Sequence, residues 1–204
     1  DGKVTFTTNH FSYYFVKENK VTFNDLASVD WARENIEIAA AKGIINGVSD
    51  GVFAPESNIT RAEFAALIVR QFKLLDPTAV SSLSDVNTDD WFYAEVSSAV
   101  KAGIITGRPD GTFAPNENIT RQDMAVVIAR VLLNFKDKVA PSDTKAFLGK
   151  FADVSSIDDY AKDFVAVVNK YGIINGRPGN VYDAKAMTTR AEAAVVAYRL
   201  LDLN

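Results

Sequence analysis

From Gly103 to Arg121 the chain reads GIITGRPDGTFAPNENITR, and from Gly43 to Arg61 it reads GIINGVSDGVFAPESNITR. The two stretches lie 60 residues apart and agree at 13 of 19 positions, where unrelated segments of average composition share about one. A third version, GIINGRPGNVYDAKAMTTR, runs from Gly172 to Arg190, 69 residues after the second. It keeps the glycines and the Thr-Arg, replaces Asp-Gly by Gly179-Asn180, and has Ala184 where the others have Pro55 and Pro115. Three tandem copies of one unit therefore decide the architecture.

Working upstream, each copy opens on an aspartate two places after a hydrophobic residue: Phe23/Asp25, Leu83/Asp85 and Phe151/Asp153. A second aspartate then precedes an aromatic, in Asp30-Trp31, Asp90-Trp91 and Asp159-Tyr160. This second Asp is expected to cap the unit's first helix through its side-chain acceptor. The helix should end at Gly43, Gly103 or Gly172, where glycine can take the left-handed closing conformation and the Ile-Ile pair folds back onto the core. The DG and PDG segments read as turns.

Working downstream, Thr60/Glu63, Thr120/Asp123 and Thr189/Glu192 match the Thr-x-x-acid capping box, with Asp as a shorter substitute in the second copy. The helix that follows carries an apolar stripe, Met124, Val127, Ile128, Val131, Leu132 and Phe135 in the second copy. One helix pair cannot bury such a stripe alone. The expected fold is all-α: three helix-loop-helix repeats in a pseudo-threefold arrangement around a central helical bundle. Repeats are assigned to 23–76, 77–136 and 151–204, with a polar linker at 137–150 that carries a start signal at Pro141 and room for a short helix. Residues 1–22 alternate apolar and polar at Val4, Phe6, Phe11, Tyr13 and Phe15, a short β segment read as the trailing edge of an upstream domain or as a linker. Asp1-Gly2-Lys3 shows neither an initiator Met nor a signal peptide, so the chain is read as part of something longer.

Composition narrows the chemistry. The 204 residues are 48% hydrophobic and 24% charged, with net charge −4 and no long basic run, which argues against nucleic acid and anionic membranes. No apolar stretch approaches the length of a membrane span, so membrane insertion is not expected. The absence of cysteine rules out disulfides and thiolate metal sites. The single imidazole, His10, excludes a two-histidine metal site, and no cofactor or metal is expected. Asp50-Gly51 and Asp110-Gly111 do not complete a calcium loop. Asp89-Asp90 and Asp158-Asp159 are read as helix-start capping groups rather than a catalytic pair.

Arg61, Arg121 and Arg190 carry the most information. Each sits at the first helical position, where the helix dipole disfavours a cation by about 0.3–1 kcal/mol. One reading is that guanidinium and helix N-terminus jointly receive an anion. The other is an internal ion pair, for instance with Asp25, Asp85 or Asp153. Trp31, Trp91 and Tyr160 could stack on a sugar, although burial preferences favour the core for large aromatics. Gly47, Gly107 and Gly176 make turns or admit a ligand close to the backbone.

The run from Asp85 to Ala125, with its two sibling copies, closely resembles the S-layer homology repeat, and the resemblance spans residues 23–201. It implies a non-enzymatic module that anchors a bacterial surface protein in the cell wall or S-layer. The implied partner is a secondary cell wall polysaccharide bearing pyruvyl-ketal N-acetylmannosamine, held in grooves between repeats. Lattice neighbours reached through the upstream region are a further implied partner. The resemblance places Arg61, Arg121 and Arg190 in those grooves. The candidate contact set adds Thr60, Thr120 and Thr189, the three helix-start aromatics, the three glycines, Arg108, Arg177, Asp25, Asp85 and Asp153. Three departures bear on it: Gln122-Asp123 replaces Ala-Glu, the third copy lacks Asp-Gly and the proline, and Val48 stands where the others have Arg108 and Arg177.

Overall fold

The computed structural model describes residues 7–9, 19–201 and 203, and the β pattern read over residues 4–15 and His10 lie largely or wholly outside them. The α-helices are α1 (Arg33–Ala41), α2 (Arg61–Gln71), α3 (Tyr93–Lys101), α4 (Arg121–Phe135), α5 (Thr144–Leu148), α6 (Asp159–Lys170) and α7 (Arg190–Leu201). Short 3-10 turns at Ala27–Ala32 and Val154–Ser156 lead into α1 and α6. Among the described residues β pairing is confined to isolated bridges, so the fold is all-α.

The first helices end as their glycines require. Gly43, Gly103 and Gly172 have φ of 69°, 70° and 68°. In the first copy Gly43 N–H bonds Ala40 O at 2.9 Å and Ile44 N–H bonds Ala39 O at 3.0 Å, the paired closure of a left-handed helix end. The starts differ from expectation. Asp30 pairs with Arg33, Asp159 pairs with Lys162, and Asp90 accepts the Asn87 N–H at 2.7 Å, so none of the three caps its helix. In the first two copies the chain is still turning at that aspartate and the α-helix begins three residues later. Asp158 at the start of α6 likewise makes no capping bond; it meets Gln122 and Lys185.

Helix pairing runs between repeats. The second helix of each repeat packs on the first helix of the next: α2 on α3, α4 on α6, and α7 back on α1. The second helices are buried along most of their length, with Phe64, Ile68, Met124, Ile128 and Leu132 fully enclosed, while Phe135 at the end of its stripe stays 41% exposed. The linker forms α5, capped by the Asp143 carboxylate on the Lys145 and Ala146 N–H groups, and packs on α6.

At the pseudo-threefold axis three equivalent residues close a ring. Ile59 N–H donates to Thr188 O (3.0 Å), Thr188 N–H to Ile119 O (2.9 Å), and Ile119 N–H to Ile59 O (3.0 Å). Thr188 is fully buried where its siblings are isoleucine, and its hydroxyl has no partner. An unpaired hydroxyl in an apolar setting destabilises. Thr188→Val, nearly the same shape, is therefore expected to raise stability by about 1 kcal/mol, read as a higher thermal unfolding midpoint. A lower midpoint would mean that the hydroxyl has a partner in solution.

Candidate functional site

The opening aspartate of each repeat pins its own loop. Asp25 accepts the N–H groups of Phe53 (3.0 Å) and Ala54 (2.7 Å), Asp85 those of Phe113 and Ala114 (both 2.7 Å), and Asp153 those of Tyr182 (2.7 Å) and Asp183 (2.8 Å). The second residue of each pair is left-handed without being glycine: Ala54 and Ala114 at φ 57°, Asp183 at φ 61°. Such backbone is disfavoured by about 1–2 kcal/mol, and the carboxylate bonds offset it. Burial opposes the charge on Asp25 and Asp153, yet these N–H bonds, with Arg190 assisting at Asp25, hold both carboxyls below their ordinary pKa.

The pinned residue then receives the arginine of the preceding repeat. Arg61 Nε donates to Phe113 O (2.8 Å), Arg121 Nε to Tyr182 O (3.0 Å), and Arg190 Nε to Phe53 O (2.9 Å). Each guanidinium also lies over the same residue's ring, at 5.0, 5.5 and 4.9 Å from the centroid. The cycle runs from repeat one to two, two to three, and three to one.

This geometry corrects the helix-terminus part of the first reading of the arginines, and for the second it shows internal ion pairs of Arg61 and Arg121 with carboxylates other than the three opening aspartates. The first N–H groups of each second helix already bond carbonyls of the next repeat: Arg61 to Glu117 O, Ala62 to Pro115 O, Arg121 to Ala186 O, Gln122 to Ala184 O, Arg190 to Ser57 O and Ala191 to Pro55 O, all within 2.8–3.1 Å. The helix N-terminus is thus occupied, and an anion could meet only the guanidinium. Nor do the arginines pair with the opening aspartates. Arg61 bonds Asp123 (3.3 Å), Arg121 bonds Glu192 (3.1 Å) and Asn175 O (3.2 Å), and Arg190 bonds Asn46 O (2.7 Å). Burial lowers the pKa of Arg61 and Arg190, and a guanidinium stays charged at neutral pH.

Two clefts open beside these contacts. The larger, about 640 Å³, is lined by Arg61, Gly107, Arg108, Asp123, Arg130 and Tyr160 over an apolar floor that includes Phe64, Ile105 and Val126. It gathers side chains from all three repeats. The smaller, about 330 Å³, has the equivalent set: Arg121, Gly176, Arg177, Glu192, Arg199 and Trp31. Each brings three guanidiniums against one carboxylate, a local cationic site on a chain of net charge −4.

Trp31, Trp91 and Tyr160, expected mainly in the core, are 63%, 58% and 54% exposed. The core takes instead the residues that follow each of them: Ala32 and Ile36, Phe92 and Val96, Ala161 and Val165 are all buried. Thr60, Thr120 and Thr189 accept the N–H three residues on as capping groups, and the opening aspartates serve the loops, so these six lie in neither cleft's lining. Arg190, Trp91 and Gly47 likewise line neither. A Cβ on Gly47 would meet Val52 O at 2.6 Å and the Phe23 ring at 2.8 Å, so the missing side chain accommodates the protein's own packing. Arg108 pairs with Glu117, and Arg177 with Glu192 and Asp183, while Val48 at the equivalent position is an exposed apolar residue. Arg130 and Arg199 escaped the sequence reading. Their signal was an arginine nine residues after each box arginine, at 70, 130 and 199.

The S-layer homology domain model matches residues 22–65, 82–125 and 150–194, over the three units that build these contacts. The chain belongs to the S-layer homology family. Its relatives include an amylopullulanase of Thermoanaerobacterium thermosulfurigenes, 40% identical over 98% of this chain and 10% of that protein. The exoglucanase XynX of Acetivibrio thermocellus is 38% identical over 92% of this chain and 17% of its own length. The surface-layer 125 kDa protein of Lysinibacillus sphaericus is 28% identical over 88% and 15%. The chain thus spans between a tenth and a fifth of these relatives. S-layer homology domains anchor proteins to the cell wall, and this module belongs at the wall or S-layer. Among the described residues no helix is long and apolar enough to cross a membrane.

Proposed function

We propose that this S-layer homology module, in repeats at 23–76, 77–136 and 151–204, holds a longer surface protein to the wall by taking a pyruvylated polysaccharide into its inter-repeat clefts. The observation that carries this reading is the pairing, in each cleft, of three guanidiniums with one exposed aromatic ring. A pyruvyl ketal presents a carboxylate on a rigid sugar. Guanidinium recognises the carboxylate by a directed fork of N–H groups, and an aromatic face accepts the sugar's C–H surface. Two clefts on one rigid body reinforce each other when a single polymer reaches both. On this reading the module works by binding alone, and the pairing of Asp123 and Glu192, the carboxylates within the clefts, with arginines supports it.

Sedimentation with purified wall sacculi tests this. Because Arg61, Arg121 and Arg190 also hold the fold, the informative variant is Trp31→Ala with Arg108→Ala, one exposed contact from each cleft. It is expected to bind pyruvylated walls at least about tenfold more weakly with an unchanged unfolding midpoint, and depyruvylated walls should release the wild type to the same degree. Undiminished binding to depyruvylated walls would overturn the carboxylate reading.

A further inference from the structure

The two clefts differ in how their aromatic wall is held. Tyr160, though 54% exposed, has a hydroxyl fixed from two sides: it donates to Asp123 Oδ1 at 2.6 Å and accepts from Gln122 Nε2 at 2.7 Å. Gln122 is 3% exposed and is itself locked, donating to Asp158 Oδ2 (2.7 Å) and accepting the Asp158 N–H (3.2 Å). The other oxygen of Asp123 receives Arg61, so one carboxylate of repeat two joins the arginine of repeat one to the tyrosine of repeat three. Among the described residues the Trp31 indole, which walls the smaller cleft, makes no hydrogen bond.

The sequence shows why only one cleft is built this way. Glu63 and Glu192 are long enough to reach back to the N-cap N–H groups of Thr60 and Thr189. Asp123 is one methylene shorter, makes no such bond, and its carboxylate is available to Tyr160 and Arg61. Gln122 stands where the siblings have Ala62 and Ala191, which have no side-chain amide. The tyrosine faces the one repeat that carries Gln-Asp.

Resting on the polymer reading above, we propose that Gln122 and Asp123 are positioning residues that hold the Tyr160 ring as a fixed wall, making the larger cleft the preorganised site for the carboxylate-bearing sugar. A ring already in its bound orientation avoids the ordering cost that the untethered Trp31 must meet on binding. The larger cleft therefore binds first, and the smaller adds avidity.

The test uses the whole chain and one probe, the methyl glycoside of pyruvyl-ketal N-acetylmannosamine. NMR follows the Arg61 and Arg121 Nε–H signals as separate reporters of the two clefts, and the Tyr160 hydroxyl proton in the unliganded protein. In the wild type the hydroxyl proton should be visible through slow exchange, and the Arg61 signal should titrate at lower probe concentration than that of Arg121. Tyr160→Phe keeps the ring and removes both tethers; Gln122→Ala removes one. Each is expected to weaken binding reported by Arg61 about fivefold to tenfold and to leave that reported by Arg121 unchanged. Tyr160→Phe also guards against a folding artefact, since it removes a single atom from a half-exposed side chain. Equal affinity at Arg61 in wild type and variants overturns the positioning role and leaves the polymer reading intact. A Tyr160 hydroxyl that exchanges as freely as in a solvated tyrosine overturns it without any ligand. A probe that moves neither arginine signal overturns this inference and the polymer reading together.

Discussion

Arg121→Ala is expected to destabilise the module by about 3 kcal/mol, the largest effect of any single arginine truncation here. Its side chain is 6% exposed and makes three hydrogen bonds, to Tyr182 O, Glu192 and Asn175 O, with the Tyr182 ring beneath it. Truncation leaves two carbonyls without that donor and reduces the cationic support of Glu192 to Arg177. Arg121→Lys should recover little, because an ammonium cannot meet three divergent acceptors while lying flat on a ring. Urea unfolding followed by circular dichroism measures both. A change within about 0.5 kcal/mol would show that the apolar core alone holds the repeats together.

The second large effect concerns the pinning aspartates. Asp25→Ala or Asp153→Ala should each cost about 2 kcal/mol at neutral pH, since two N–H groups lose an ionised acceptor at a left-handed turn. The same carboxylates should make the fold acid-sensitive. Their folded pKa values lie below the ordinary 3.8, so their contribution is fully present above that value and is lost as pH falls through the lower folded value. The wild type should thus lose stability on acidification below about pH 4 more steeply than a variant lacking both aspartates. Parallel slopes would mean that the acid limb comes from other groups. Exposed pairs such as Asp76 with Lys101, whose carboxyl is drawn down to about 2, lie at the surface and should contribute little to the difference.

What was legible in the sequence was the part written in local chemistry. The glycine after each first helix needs a left-handed φ, and the Thr-x-x-acid box needs only the geometry of one helical turn; both could be read from spacing. Helix existence followed from the apolar stripes. The direction of packing was not legible, because nothing local distinguishes a second helix lying on its own partner from one lying on the next repeat's first helix. For the same reason the partners of Arg61, Arg121 and Arg190 could not be named, and anion site and internal ion pair stayed open as alternatives: the carbonyls and rings they engage are 52, 61 and 137 residues away. The second aspartates misled because an acidic residue before an aromatic resembles a cap, whereas the chain was still curling through a tighter turn at Asp30. The aromatics misled because size was weighed and the capacity of the neighbouring helices to fill the core without them was not. Arg130 and Arg199 were visible as a recurrence but lay inside an apolar stripe, where the period of the hydrophobic residues drew the reading.

The ring of bonds among Ile59, Thr188 and Ile119, with the arginine cycle around it, makes every repeat-to-repeat interface head-to-tail, and the rotation closes after three. An open solenoid tolerates gain or loss of a unit because its ends carry polar caps. Here there are no ends to cap. Deleting one repeat would leave an orphan arginine face at one side and a complementary vacant loop at the other, and two such fragments would be better partners for each other than for solvent. A chain short of one repeat is therefore expected to close its ring with a second copy rather than stand alone.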